Sequence, residues 1–367
     1  MTQRQKRRRI LSFLFLALIC AAGIWGIPKL IRLLTAQPGG YSFVVLADGT
    51  AEIRGYRGSG TDLEIPVELE GRKVSSIGEK AFDWHILLRR VRIPAGVTRI
   101  GDGAFTGCVA LESITLPEGL VRIGDDAFSG CNRLKEIRLP ESLEEMGSHA
   151  FEGCRRLTEI RLPASVRVVG ANPFALCPNL KKLTFDGETP ALKILEGAVT
   201  DRTGTLLVAF PPLSSGTSYE IPGSITVIGE RAFLGCGQLT SLSLPADLTT
   251  IRDSAFSDCT ALASLEIPEG TRTIGNVAFA GCSALSHVRL PEGLTDIGYL
   301  AFYDCTALRE LVIPESVRSI GDSAFIGCRN LTLTVTPSSP AEKYCLRNDL
   351  PFRYAAPSPE HAQEETP

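Results

Sequence analysis

Apolar and polar positions between residues 77 and 334 recur with a period of 23. Phe82, Phe105, Phe128, Phe151 and Phe174 mark one series, and Phe233, Phe256, Phe279, Phe302 and Phe325 mark a second. Ala precedes each of them except Phe174, where Pro173 stands. Cys follows three positions later in nine of these ten units, and His85 takes its place in the first. A Leu comes after three more residues. An alternating run follows, such as Ile114-Thr115-Leu116-Pro117 or Leu265-Glu266-Ile267-Pro268. An aliphatic residue and, in most units, Ile-Gly then lead to the next Ala-Phe.

Each part of the unit predicts an element. The alternating run has the period of a strand, with successive side chains on opposite faces. Its proline ends the ladder, as proline does at a strand end. Ile-Gly reads as a turn. The residue after it is often Asp102, Asp125, Ser148, Glu230, Asp253, Asn276 or Asp322, a set that predicts the cap of a short helical turn. The position before Cys is Gly or Asp in most units, which predicts a left-handed backbone; Trp84 and Leu176 break that rule. A single unit cannot bury its apolar face, whereas a stack can. Parallel strands about 4.8 Å apart would set each Phe on the next.

These units, written IGxxAFxGCxxLxxIxLPxxL from Ile77 to about Leu333, resemble the BspA-type leucine-rich repeats of bacterial surface proteins. The resemblance implies an α/β solenoid of 23-residue units with parallel strands, short helical turns and terminal caps. Residues 41–76 resemble the family's N-terminal cap of strands and 335–355 its closing helix and strand. Residues 77–185 and 219–334 form two repeat blocks. The interval from Phe174 to Phe233 is 59 residues, two periods and a remainder. Residues 186–218 fill it, with Asp201-Arg202-Thr203-Gly204 as a hairpin turn. One continuous solenoid is expected, with a hinge between two halves as the competing reading. The resemblance also implies cell-surface attachment and binding of a protein or glycan.

Charge changes the picture at the chain's start. Residues 1–34 hold seven Lys or Arg and no Asp or Glu. The remaining chain has 31 basic and 41 acidic residues, a net charge near −10. An acidic body argues against nucleic-acid binding, which needs a basic face. Residues 1–9 carry a basic tip and 10–27 are uncharged and apolar. Eighteen residues at 1.5 Å each span about 27 Å, close to the hydrocarbon core. The expectation is a single-pass signal anchor that keeps the basic tip in the cytoplasm and sends the repeats outward, followed by a linker at 28–40. A cleaved signal peptide and secretion is the competing reading, and lipidation at Cys20 is disfavoured by the bulky Ile19. Residues 356–367 read as a disordered tail.

The candidate chemistry is sparse. The nine repeated cysteines occupy one position per unit, unlike the irregular clusters of disulfide frameworks and zinc sites. They read as a buried ladder of free thiols. No phosphate loop, nucleophile elbow or dinucleotide fingerprint is present, so neither cofactor nor metal is expected. Ser264, His287 and Glu310 fall on consecutive units in the order of a nucleophile, a base and its orienting carboxylate. Nothing around them marks a strained turn or an oxyanion hole, so a hydrolase is the weaker reading, and a structural spacer is a further alternative. The outward strand positions are the least constrained. Arg90, Arg92, Glu136, Arg138, Glu159, Arg161, His287 and Arg289 lie in two rows on that face, and Trp84 offers a second exposed patch.

Overall fold

The computed structural model describes residues 40–210 and 216–356. The basic tip, the apolar run at 10–27, almost all of the linker and nearly the whole C-terminal tail lie outside the described residues. Among the described residues, no helix is long and apolar enough to cross a membrane.

The chain winds as a β-solenoid carrying two ladders of short parallel strands. One ladder is built from the alternating runs. It pairs Asp62–Glu64, Arg90–Arg92 and Ser113–Thr115, and later Glu159–Leu162 with Lys182–Phe185. After the interruption it continues in pairs such as Ser264–Glu266 with His287–Arg289. The register advances by one repeat: Arg90 faces Ser113, and Ser264 faces His287.

The second ladder lies where the sequence predicts only a turn. Residues just before the glycine form two-residue strands, including Arg99–Ile100, Arg122–Ile123 and Glu145–Met146. These pair in parallel from rung to rung, with Ile100 opposite Ile123. The glycines are needed for close approach. A Cβ on Gly124 would lie 2.7 Å from Asp102 N, so neighbouring coils pack backbone to backbone there.

Among the described residues, no helix forms at the Ala-Phe corners where helical turns are expected. These corners are tight turns in which successive N–H groups alternate between two destinations. Ala104, Thr106 and Cys108 donate within their own rung, to Gly101, Gly103 and Phe105 carbonyls. Gly103, Phe105 and Gly107 donate instead to Asp125, Ala127 and Ser129 carbonyls of the next rung. A helix cannot turn every second amide along the stacking axis. The geometry rests on two left-handed positions in every corner but that of Phe174, where Asn172 stands two residues before Phe without positive φ. One is the position before Cys, and Trp84 and Leu176 adopt it too, at φ 55° and 54°. The other lies two residues before Phe, where Lys80, Gly103, Asp126, His149, Arg231 and Val277 all have positive φ.

The polar residues expected to cap helical turns have a different task. Asp102 Oδ1 accepts from Asp125 N at 3.0 Å, and Asp125 Oδ1 accepts from Ser148 N at 2.7 Å. Asp253 and Asn276 do the same for the following coils, at 2.8 and 2.9 Å. They satisfy amides one coil ahead of their own.

Inside, the phenylalanines stack. Phe105 lies 5.0 Å from Phe82 and 5.5 Å from Phe128, with ring planes within 4° of parallel in both pairs. The nine ladder cysteines are free and buried. Each thiol donates to the carbonyl of the preceding rung's phenylalanine position, as from Cys108 to Phe82 at 3.1 Å and from Cys282 to Phe256 at 3.1 Å. This bond explains a cysteine where alanine would also fit.

The interruption is a three-stranded antiparallel meander, Leu192–Leu195, Ala198–Asp201 and Leu206–Ala209. Glu196 and Gly197, both with positive φ, make the first turn, as a two-residue hairpin requires. Asp201 Oδ1 organises the second by accepting from Gly204, Thr205 and Leu206 amides. Leu206–Ala209 then joins the parallel ladder through Val227–Ile228. Its side chains are shared between two apolar cores: Leu207 and Phe210 face the C-terminal one, Val208 and Ala209 the N-terminal one. Both ends are sealed by aromatics. Tyr41, Tyr56 and His85 cover Phe82. The helix Pro340–Asn348 sets Tyr344 edge-on to Phe325 at 5.8 Å.

Candidate recognition face

The ladder of alternating runs presents an open face. On Arg90–Arg92, Ser113–Thr115, Ser241–Ser243, Ser264–Glu266 and Glu310–Val312, the two outer side chains are exposed and the central one is buried. Arg90, Arg92, Glu159, Arg161, His287 and Arg289 are exposed on this face. Glu136 and Arg138 are also exposed, but their rung makes no strand ladder.

Charges on the face are largely matched between neighbouring coils. Arg90 Nη2 lies 2.7 Å from Asp62, whose hydrogen bond and charge push the guanidinium pKa up further. Arg92 lies 3.9 Å from Glu64, and Lys182 lies 3.8 Å from Glu159. Arg161 pairs with Asp186, and Arg289 lies 3.3 Å from Glu269. Among the described residues, Glu136 and Arg138 have neither an ion pair nor a side-chain hydrogen bond. The partners Asp62 and Glu64 could have been read from Asp62-Leu63-Glu64-Ile65-Pro66, which repeats the alternating run one coil early. Asp186 and Glu269 lie in turns beyond their strands, where no periodicity points to them.

Ser264, His287 and Glu310 line one shallow concavity with Glu266, Arg289 and Arg353. Their side chains are engaged elsewhere. His287 Nδ1 lies 2.8 Å from Ser286 Oγ, and Glu310 lies 3.1 Å from Arg353 Nη2. No hydrogen bond joins Ser264 to His287 among the described residues. All three side chains stand in solvent, where no backbone N–H pair or enclosed pocket shelters an oxyanion.

Trp84 sits at a corner and not on the strand face. It is 67% exposed, beside Ile86 at 53% and Leu87 at 60%. Its ring lies over Gly107, where an added Cβ would come within 2.8 Å of Trp84 Cδ2.

Similarity to known proteins places this geometry. The family pattern described as BspA type leucine rich repeat region matches residues 75–193 and 209–332, in six copies. Comparison with curated proteins finds no match. A leucine rich cell surface protein of Faecalibacterium prausnitzii is 24% identical, with a TM-score of 0.52, over 89% of this chain and 96% of that one. A leucine-rich repeat protein of Eubacterium ventriosum is 23% identical, with a TM-score of 0.56, over 78% of this chain and 92% of its own. The pneumococcal vaccine antigen PcpA is 23% identical, with a TM-score of 0.56, over 82% of this chain and 80% of its own. At these identities the likeness is one of fold.

Proposed function

Because the chain belongs to the BspA-type leucine-rich repeat family, we propose that it is a non-enzymatic surface protein that binds a protein or glycan through its strand face. The observation that carries this reading is the division of labour along each strand. The central residue is buried and the two beside it are exposed, coil after coil. The exposed positions vary in chemistry without disturbing the stack, so they are free to be shaped by a partner. Glu136 and Arg138, which have no partner among the described residues, are the first contacts we assign. Arg161 extends that patch by one coil. Trp84, with its large exposed ring, is a second anchor of the kind found at interface hot spots.

The apolar run at 10–27 holds the protein in the membrane with its repeats outward, in this reading. That the Faecalibacterium protein is a cell surface protein supports that setting. The test is an array of matrix proteins and polysaccharides probed with the detergent-solubilised full-length chain. Binding to a defined spot should fall about tenfold or more when Arg138 and Arg161 are both changed to Glu. Equal binding by the variant, or no spot bound above background, would favour a spacer with no specific partner.

A further inference from the structure

Four ionisable side chains converge at the corner where the two repeat blocks meet. Asp126 and His149 occupy the same left-handed position on successive coils, at φ 53° and 56°. Glu152 lies on the same coil as His149, and Glu230 arrives from beyond the meander. Ligand atoms of Asp126, His149 and Glu152 all lie within 4.8 Å of one another. His149 Nε2 is 3.5 Å from Glu230 Oε1.

The imidazole supplies an independent observation. His149 is only 8% exposed, and its Nε2 is buried with no hydrogen-bond partner. A buried polar atom left unpaired in a native protein calls for something that satisfies it. Charge points the same way. Arg231 lies 2.5 Å from Glu152 and 3.9 Å from Glu230. With a neutral imidazole, three carboxylates facing one guanidinium leave two negative charges.

We propose that Asp126, His149, Glu152 and Glu230 form a site for a divalent transition metal, with zinc the best match. His149 Nε2 would supply the nitrogen and the carboxylates the oxygens, Glu152 keeping its other oxygen on Arg231. Two donors on a tetrahedral zinc at about 2.0–2.2 Å stand roughly 3.4 Å apart, which the His149–Glu230 separation of 3.5 Å already meets. An imidazole among the ligands selects a transition metal over calcium or magnesium. The buried ladder thiols do not compete, because burial keeps them protonated. The ion would fasten the first block to the second across the meander, a structural role.

The test uses the full-length chain in detergent micelles, dialysed against zinc chloride. One zinc per chain is expected. His149→Asn, chosen because Asn tolerates a left-handed backbone, and Glu230→Gln should each weaken binding about tenfold or more. His287→Asn, on the open face, should leave it unchanged. Zinc should raise the unfolding midpoint of the wild type and not that of His149→Asn. Zinc-edge X-ray absorption on the wild type requires no variant, and should give one imidazole nitrogen and oxygen neighbours without sulfur. Failure to bind zinc, equal affinity in His149→Asn, or a sulfur-containing shell would each overturn the site. The corner would then be held without metal, by the Arg231–Glu152 pair and the His149–Glu230 contact.

Discussion

Residues in this protein carry two kinds of obligation, one to the coil they belong to and one to the coil beside it. Phe256 shows both. Its ring stacks between neighbours 5.1 and 5.2 Å away, and its carbonyl receives the Cys282 thiol. Phe256→Ala should therefore lose about 3–5 kcal/mol, read from urea denaturation. The thiols add a pH dependence. Burial pushes Cys108, Cys177, Cys236 and Cys282 up to about 12 from an ordinary value near 9. An unfolded chain releases those protons from about pH 9, while the folded chain holds them until about 12. Stability should be insensitive to these groups below pH 9 and fall as pH rises from 9 towards 12. A urea midpoint that stays flat across that window would refute the buried ladder. Lys80 tests the left-handed corners. It is exposed at φ 53°, where the next coil uses Gly103. A non-glycine residue there costs about 1–2 kcal/mol, partly offset by the entropy of glycine. Lys80→Gly should raise stability by up to about 1 kcal/mol, measured by the same denaturation.

The element is the coil, and its legibility in the sequence was uneven for physical reasons. The alternating runs were readable because one face is buried and the other is not. The phenylalanine column was readable because a ring that must lie on its neighbour leaves the same letter every 23 residues. The second ladder was hidden, since strands of two residues such as Arg99–Ile100 are too short to show a period of two. The corners carry Asp, Ser and Asn, which favour helix starts, so the sequence predicts helical turns where the structure has tight turns. Those side chains cap amides too, but on the following coil, which no local rule anticipates. Likewise, the left-handed position two before Phe holds Lys, Gly, Asp, His, Arg, Ser, Val and Leu, so stacking sets its conformation against local preference. The polar column predicts that Asp253→Ala, which strands the Asn276 amide, costs up to about 1 kcal/mol. Asp253→Asn should cost less, since Asn276 performs the same task for Tyr299. On the recognition face, the rows were legible as outward positions, but the pairing of Arg161 with Asp186 was not, because Asp186 follows the strand.

At the scale of the molecule, two apolar cores meet around the strand Leu206–Ala209, with Leu207 and the following Phe210 in the C-terminal core and Val208 and Ala209 in the N-terminal one. The meander thus joins the stacks, and the strand face runs along both. In the proposed function the stack fixes the shape and the outer row is free to recognise a partner. One variant tests that division most directly: Arg138→Glu combined with Arg161→Glu, followed in parallel by urea denaturation and by binding to the array. Losing the Arg161–Asp186 pair should shift stability by no more than about 1 kcal/mol, while ligand binding falls about tenfold or more. Unchanged binding, or a loss of stability as large as that of a buried phenylalanine, would contradict it.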